Sequence, residues 1–294
     1  MTKRNTIRIA VASGKGGTGK TLISTSLFYT LQNNNQEVTL IDCDAEEPND
    51  MLYFSGIHQK CTVVSQLVPV INEAKCTYCG KCHDYCSYKA IFILPQSKII
   101  KVMDDLCHGC GACTVACKFD AITEKSVSLG EVNSYSISSN SKIIEARTRI
   151  GVYSPVPIIK SAISEAKNQG LIIMDSPPGT SCPFIQTVAQ ASYVILVTEP
   201  TPFGLSDLKQ SVETLKTMQK PYGVIVNRAG MGNNEVYKYL EKEGITLLME
   251  IPFDREIASI YSKGLIVAKQ KPELQLELLN VLNIILAQHG NSNN

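Results

Sequence analysis

The 294-residue sequence has no excess of charge of either sign: 28 Lys and Arg stand against 27 Asp and Glu, a formal net charge of +1. It has no long run of Lys or Arg either. The electrostatic footprint that drives nucleic-acid binding is therefore missing, and direct DNA or RNA binding is not expected. No stretch approaches the roughly 20 apolar residues that cross a bilayer, so no transmembrane segment is expected. The opening "MTKRNTIRIAVASGKGG" is basic and briefly apolar, but Gly and Lys break the run before a signal peptide's apolar region would end. It reads as a first strand. The C-terminal "PELQLELLNVLNIILAQHG" has no Lys or Arg after Lys271 to meet anionic lipid, so it reads as a helix that packs a Leu and Ile face on the core.

Cysteine, by contrast, is plentiful. Eight of the 11 cysteines lie in "CTYCGKCHDYC" (76–86) and "CHGCGACTVAC" (107–117). Each run is C-x-x-C-x-x-C-x-x-x-C, which is metal-cluster spacing rather than a disulfide framework, and such clusters need reduced thiolates. A cytoplasmic location is the expectation. The two runs share a following Ala-Ile, Ala90-Ile91 and Ala121-Ile122, at an offset of 31 residues from Cys76 to Cys107. Two copies of one cluster-binding unit are the simple reading. Three thiolates on a tight loop cover one face of a cubane, and a fourth must arrive from elsewhere. A tetrahedral thiolate zinc site is the competing chemistry.

The spacing resembles that of bacterial two-cluster ferredoxins, in which the last cysteine of each run binds the other cluster. The resemblance implies two 4Fe-4S clusters, one held by Cys76, Cys79, Cys82 and Cys117, the other by Cys107, Cys110, Cys113 and Cys86. The Pro that often follows the fourth cysteine is replaced by Ser87 and Lys118. His83 and His108 read as tuning or surface residues. Cys43, Cys61 and Cys182 read as buried or incidental thiols, with a cluster shared at a dimer interface as the alternative for Cys43 and Cys182.

Around this module the pattern is βα. "TIRIAVAS" is a strand, "GKGGTG" a loop, "KTLISTSLFYTLQNN" a helix and "EVTLID" the next strand. Beyond Ile150 the alternation resumes with the apolar strands "GLIIMDSPPG", "YVILVTEP" and "PYGVIVNRAG". Continuous apolar strands between helices argue an α/β fold with a mostly parallel sheet covered on both faces. The expected domains are a discontinuous P-loop NTPase unit, residues 1–64 and 143–294, and a small inserted α+β two-cluster ferredoxin domain, residues 65–142.

"SGKGGTGKT" fits G-x-x-x-x-G-K-[ST] through Gly14, Gly19, Lys20 and Thr21, between a strand and a helix. The run Gly14, Lys15, Gly16, Gly17, Thr18, Gly19, Lys20 and Thr21 suits phosphate. Glycines let backbone N–H groups converge on it, the helix N-terminus adds its positive end, Lys20 adds a mobile charge, and the Thr21 hydroxyl can bind magnesium. Asp175 ends an apolar strand, where an aspartate can hold magnesium through water. The GTPase N-K-x-D is absent.

The "KGGTGK" resembles the deviant-Walker ATPases of the MinD, ParA, arsenite-pump and nitrogenase iron-protein type. Several roles follow from that resemblance. Lys15 would reach across a nucleotide-sandwich dimer to the partner's phosphates; Asp44 of "LIDCDAEEPN" would orient the attacking water; Asp42 would support the magnesium shell. Pro177, Pro178 and Gly179 look like the second switch, with the Gly179 N–H available to the γ-phosphate. Asn227 would meet the adenine edge, favouring ATP, and Pro252 of "EIPFD" would flank it. The expected catalytic set is Lys15, Lys20 and Asp44.

The whole chain resembles MinD-superfamily ATPases with an inserted ferredoxin domain. Three functions follow as expectations: Mg-ATP-gated electron transfer to a partner protein by a homodimer, or a heterodimer with a related ATPase; iron–sulfur or metallocofactor assembly with a recipient partner; and a redox-sensing positioning ATPase. Eight full ligands favour permanent redox clusters over labile cargo, hence the first.

Overall fold

Residues 6–166 and 170–291 are described in the structure, a computed structural model; the expected domain spans also include residues 1–5, 167–169 and 292–294, which lie outside the described residues. The chain begins with β1 (Ile7–Ala12), α1 (Lys20–Asn33) and β2 (Val38–Asp42), then continues into β3 (Ile57–Ile71). The cysteine region contributes α2 (Lys81–Asp84), the hairpin β4 (Ile91–Leu94) and β5 (Ile99–Val102), and α3 (Ala112–Ala116). The long β6 (Ile122–Ser138) returns to β7 (Ser141–Thr148). Then follow α4 (Val156–Glu165), β8 (Leu171–Asp175), α5 (Cys182–Ala189), β9 (Tyr193–Thr198), α6 (Pro202–Thr217), β10 (Tyr222–Ala229) and α7 (Glu235–Glu243). The chain closes with β11 (Leu247–Pro252), α8 (Arg255–Ser262), α9 (Val267–Gln270) and α10 (Pro272–Asn291).

Nine strands form one sheet in the order β11-β10-β9-β1-β8-β2-β7-β6-β3. The pairs from β11 to β7 are parallel, and the last two are antiparallel. Every residue of β2, β8 and β9 is buried, as strands covered on both faces must be. One face packs α4, α5, α6 and α7 through residues such as Ile159, Phe184, Val212 and Leu240. The other packs α1, α9 and α10 through Leu27, Val267, Leu278 and Ile285. The apolar face of α10 thus meets the core, as its sequence suggests. No helix among the described residues is long and apolar enough to cross a membrane.

The expected module boundaries fall inside continuous strands. β3 runs through residue 65 and pairs with β6 from Ile57↔Ser136 to Ile71↔Ile122, so the ribbon that carries the cysteine region is an extension of the main sheet. Residue 142 lies within β7, which pairs in parallel with β2. Only residues 72–121 stand beyond the ribbon. The cysteine count dominates the local pattern and hides the alternation of the flanking strands. Pro69 fits β3 because its outer edge has no strand partner.

Candidate functional site

The C-terminal ends of the parallel strands gather most of the residues singled out in the sequence. The P-loop follows β1, Asp42 ends β2, Asp175 ends β8, Asn227 lies two residues before the end of β10, and Pro252 ends β11. Open α/β sheets bind ligands at this edge. Asp42 and Asp175 are direct neighbours across the β2–β8 pair.

Gly19 is the N-cap of α1 at φ 103°, with no side-chain cap, which leaves the first-turn N–H groups open to an anion. A Cβ on Gly19 would also lie 2.4 Å from Asn227 Nδ2. At Gly14 it would lie 2.5 Å from the Asp207 carbonyl oxygen. Lys20 is buried, and burial lowers its pKa against the opposing pull of Asp175 and Asp44. The Thr21 hydroxyl donates to Asp175 Oδ2 at 2.7 Å, which puts both expected magnesium groups in contact.

Asp42 accepts from the N–H groups of Asp44 (3.1 Å), Asn49 (2.8 Å) and Asp50 (3.0 Å). It therefore anchors the loop that carries Asp44. Burial pushes the Asp44 carboxyl up to about 6, with Asp175 adding to the shift and Lys20 opposing it. Between the ordinary value of 3.8 and about 6 the folded chain binds more protons than the unfolded one, so this group's contribution to stability is lost as pH rises through that window. Asp44→Asn should therefore melt higher than the parent at pH 8, without nucleotide or divalent cation, and lose most of that advantage at pH 5. Differential scanning fluorimetry reads this directly; an advantage equal at both pH values would refute the charge origin.

Three residues given ligand roles in the sequence also make contacts within the protein. The Gly179 N–H donates to the Ser13 carbonyl at 3.2 Å. Asn227 Nδ2 donates to the Thr18 carbonyl at 2.7 Å, and its Oδ1 accepts from the Arg228 N–H at 2.9 Å. Asn227 thus braces the P-loop. Lys15 Nζ lies 3.3 Å from Glu199 Oε2, and Arg228 Nη1 lies 2.6 Å from Glu199 Oε1. Glu199 was legible as an acidic residue just after an apolar strand, the same signal that marks Asp175.

A cavity of about 310 Å³ opens beside the P-loop, lined by Gly19, Lys20, Thr21, Asn227, Pro252, Phe253, Ile257 and Tyr261 among others. Its polar end is the P-loop and its apolar end the β11–α8 corner, a division that suits a nucleotide. Tyr261 stacks on Tyr53 at 5.3 Å and closes the back. Neither tyrosine carries a sequence signal.

The eight cysteines line two other cavities. One is bordered by Cys76, Cys79, Cys82 and Cys117 with Ile71, Ile93, Ile100 and Ile122. The second is bordered by Cys86, Cys107, Cys110 and Cys113 with Leu67, Tyr88, Ile91 and His108. The duplication extends to the backbone. Tyr78 and Gly109 have φ of 55° and 63°, and their N–H groups donate to Cys76 Sγ and Cys107 Sγ, each at 3.4 Å. Asn72 N–H to Ala121 O and Met103 N–H to Ala90 O, both 2.8 Å, tie the copies reciprocally. None of the eleven cysteines forms a disulfide. Burial pushes Cys82 up to about 11, against the His83 N–H and with Cys76, Cys79 and Cys113 adding to the rise. Grouped thiolates of this kind need a cationic centre to neutralise them. Among the described residues no three His, Cys, Asp or Glu groups converge as a single metal ion requires.

The two regions are joined by hydrogen bonds. The Thr148 N–H, at the end of β7, donates to the Ala45 carbonyl beside Asp44 at 2.8 Å. The next N–H, Arg149, donates to Leu129 of β6 at 2.9 Å, and Gln66 Nε2 of β3 donates to the Cys107 carbonyl at 2.8 Å. His108 lies between Tyr88, stacked at 3.6 Å, and Tyr153, edge-on at 5.2 Å.

Comparison with known proteins adds the following. The family profile described as CobQ/CobB/MinD/ParA nucleotide binding domain matches residues 9–267. An uncharacterized protein of Methanocaldococcus jannaschii is 30% identical over 262 residues, covering 87% of this chain and 89% of its own. An iron-sulfur cluster carrier protein of Pyrococcus horikoshii is 23% identical, covering 96% of this chain and 89% of its own. Among solved structures, the septum site-determining protein MinD complexed with Mg-ADP, also from Pyrococcus horikoshii, superposes with a TM-score of 0.57 at 20% identity, covering 94% of each chain. That last likeness speaks for the fold.

Proposed function

The chain belongs to the CobQ/CobB/MinD/ParA nucleotide-binding domain family, and from that premise we propose that it binds and hydrolyses Mg-ATP as a dimer to gate electron transfer through two 4Fe-4S clusters to a partner protein. The observation that carries this reading is the hydrogen-bonded connection from the Asp44 loop through Thr148, Arg149 and Leu129 to the ribbon holding the cysteines. A change in the loop on nucleotide binding has a stiff route to the thiols.

Lys20 and the α1 N-terminus neutralise phosphate charge, while Thr21 and Asp175 would hold magnesium. Asp44, titrating near 6, is ionised at neutral pH and orients the attacking water. Lys15 leaves Glu199 and serves the partner's phosphates. The apolar walls of Pro252, Phe253 and Ile257 enclose the base, with Asn227 released from Thr18 to meet its edge. Each cysteine cavity suits a cubane in donor type and number, with three thiols from one run and one from the other, and its remaining walls are largely apolar. The clusters supply one-electron carriers.

The decisive measurement is the cluster midpoint potential under anaerobic conditions with and without Mg-ATP. Nucleotide should shift at least one cluster by about 60 mV or more, a tenfold change for a one-electron couple. Unchanged potential, transfer rate and dimerisation would refute gating. A second reading, an iron–sulfur carrier, is favoured by the name of the Pyrococcus horikoshii relative; it wins if recipient apoenzymes gain activity only by stripping the protein's iron.

A further inference from the structure

Asp50 opens a single 3-10 turn, Asp50–Tyr53, eight residues beyond the end of β2. It is 0% exposed. Its N–H is fixed on Asp42 Oδ2, and the neighbouring Asn49 N–H on the same oxygen, so the turn is held with the carboxyl pointing inward. There it lies within hydrogen-bonding reach of the Asp175 carboxyl. Two carboxylates cannot donate to each other. With both carboxyls ionised, neither Asp50 oxygen has a hydrogen-bond donor, while the buried Ser24 hydroxyl, otherwise without a partner, is a donor within reach of Asp175.

A buried carboxylate with no donor and no counter-charge is costly, and such groups persist where something else completes them. Lys20 is the cation acting on Asp44 and Asp175, while Asp50 feels chiefly burial and the neighbouring carboxylates Asp42, Asp175 and Asp44. Hydrated magnesium supplies what is missing. It keeps several of its waters when bound, and each water presents two protons that need acceptors.

We propose that Asp50 is a positioning residue of the magnesium site, accepting a hydrogen bond from a metal-bound water beside Asp175. This rests on the reading of Thr21 and Asp175 as the magnesium-binding pair. Asp50 touches no phosphate; it acts through the hydrated cation and through Asp175, whose orientation it helps set. Outer-sphere acceptors of this kind change metal affinity by about 10–100-fold when removed.

The test uses the purified full chain, ADP at saturation and Mn²⁺ as the spectroscopic probe, with free Mn²⁺ followed by electron paramagnetic resonance. Asp50→Asn, nearly isosteric, should bind Mn²⁺ at least about tenfold more weakly than the parent. The same variant should also gain less thermal stability than the parent on adding Mn²⁺ to protein freed of metal with EDTA. If Asp50→Asn does not fold, Asp50→Ser is read by the same two measurements. Affinity within about twofold of the parent would overturn the inference and leave Asp50 and Asp175 as an acid pair sharing a proton, a bond that Asn reproduces. If the parent itself binds no Mn²⁺ with ADP, the magnesium reading of Thr21 and Asp175 fails first, and the inference falls with it.

Discussion

Lys15→Ala should lower ATP turnover by about 10³-fold or more, the size of an arginine-finger loss, and mixing it with Asp44→Ala should restore part of the activity. Two lysines of the P-loop occupy different settings. Lys20 is buried and acts on Asp44 and Asp175, whereas Lys15 is turned toward Glu199, which Arg228 also holds. On the proposed reading, that charge serves the site of a neighbouring chain. In a mixed dimer the Lys15→Ala chain keeps its Asp44 and receives an intact lysine from the other chain, so one complete site forms. Equal mixing should recover about a quarter of the parental turnover, since random pairing makes half of the dimers mixed, each with one working site. No recovery, with mixed dimers demonstrated by tag pull-down, would mean that Lys15 acts within its own chain. Lys20→Ala should abolish turnover in every mixture for its own site while leaving iron content intact.

The cysteine cavities yield the second large effect. Cys117→Ala and Cys86→Ala should each remove about four of about eight irons, but the informative variants are double. Cys117 lines the cavity of the first run and Cys86 that of the second. Cys79→Ala with Cys117→Ala therefore damages one cavity and should leave about four irons, while Cys110→Ala with Cys117→Ala damages both and should leave almost none. If each run held its own cluster, the two results would be exchanged. Iron and acid-labile sulfide assays on anaerobically purified protein distinguish them. The crossing has a structural cause: Asn72 pairs with Ala121 and Met103 with Ala90, so the end of each run is tied beside the start of the other.

Much of the site was legible because its chemistry is carried by short segments. The P-loop needs glycines, a lysine and a hydroxyl in sequence, and the loop stands between a strand and a helix as the motif requires. Asp42 and Asp175 were found because each ends an apolar strand, and the parallel sheet brings such ends to one edge. Asp50 was missed for the same reason. It ends no strand and matches no motif, and only the turn anchored on Asp42 carries it back under Asp175. The boundaries at 65 and 142 fall within β3 and β7, strands whose continuity the neighbouring cysteine-rich pattern does not reveal.

Residue types and spacing alone specify a phosphate loop, an α/β sheet and eight thiols in two repeats, since these depend on local geometry and on side-chain chemistry within about a dozen residues. The state of each group was decided by tertiary contact. Asn227 braces the Thr18 carbonyl, Gly179 donates to Ser13, and Lys15 pairs with Glu199. These partners come from distant parts of the chain, joined only when the strands align. The link between the Asp44 loop and the cysteines is of the same kind. It exists because β7 runs beside β2 while β6 pairs antiparallel with β7, so one strand touches both the nucleotide edge and the ribbon that holds the thiols.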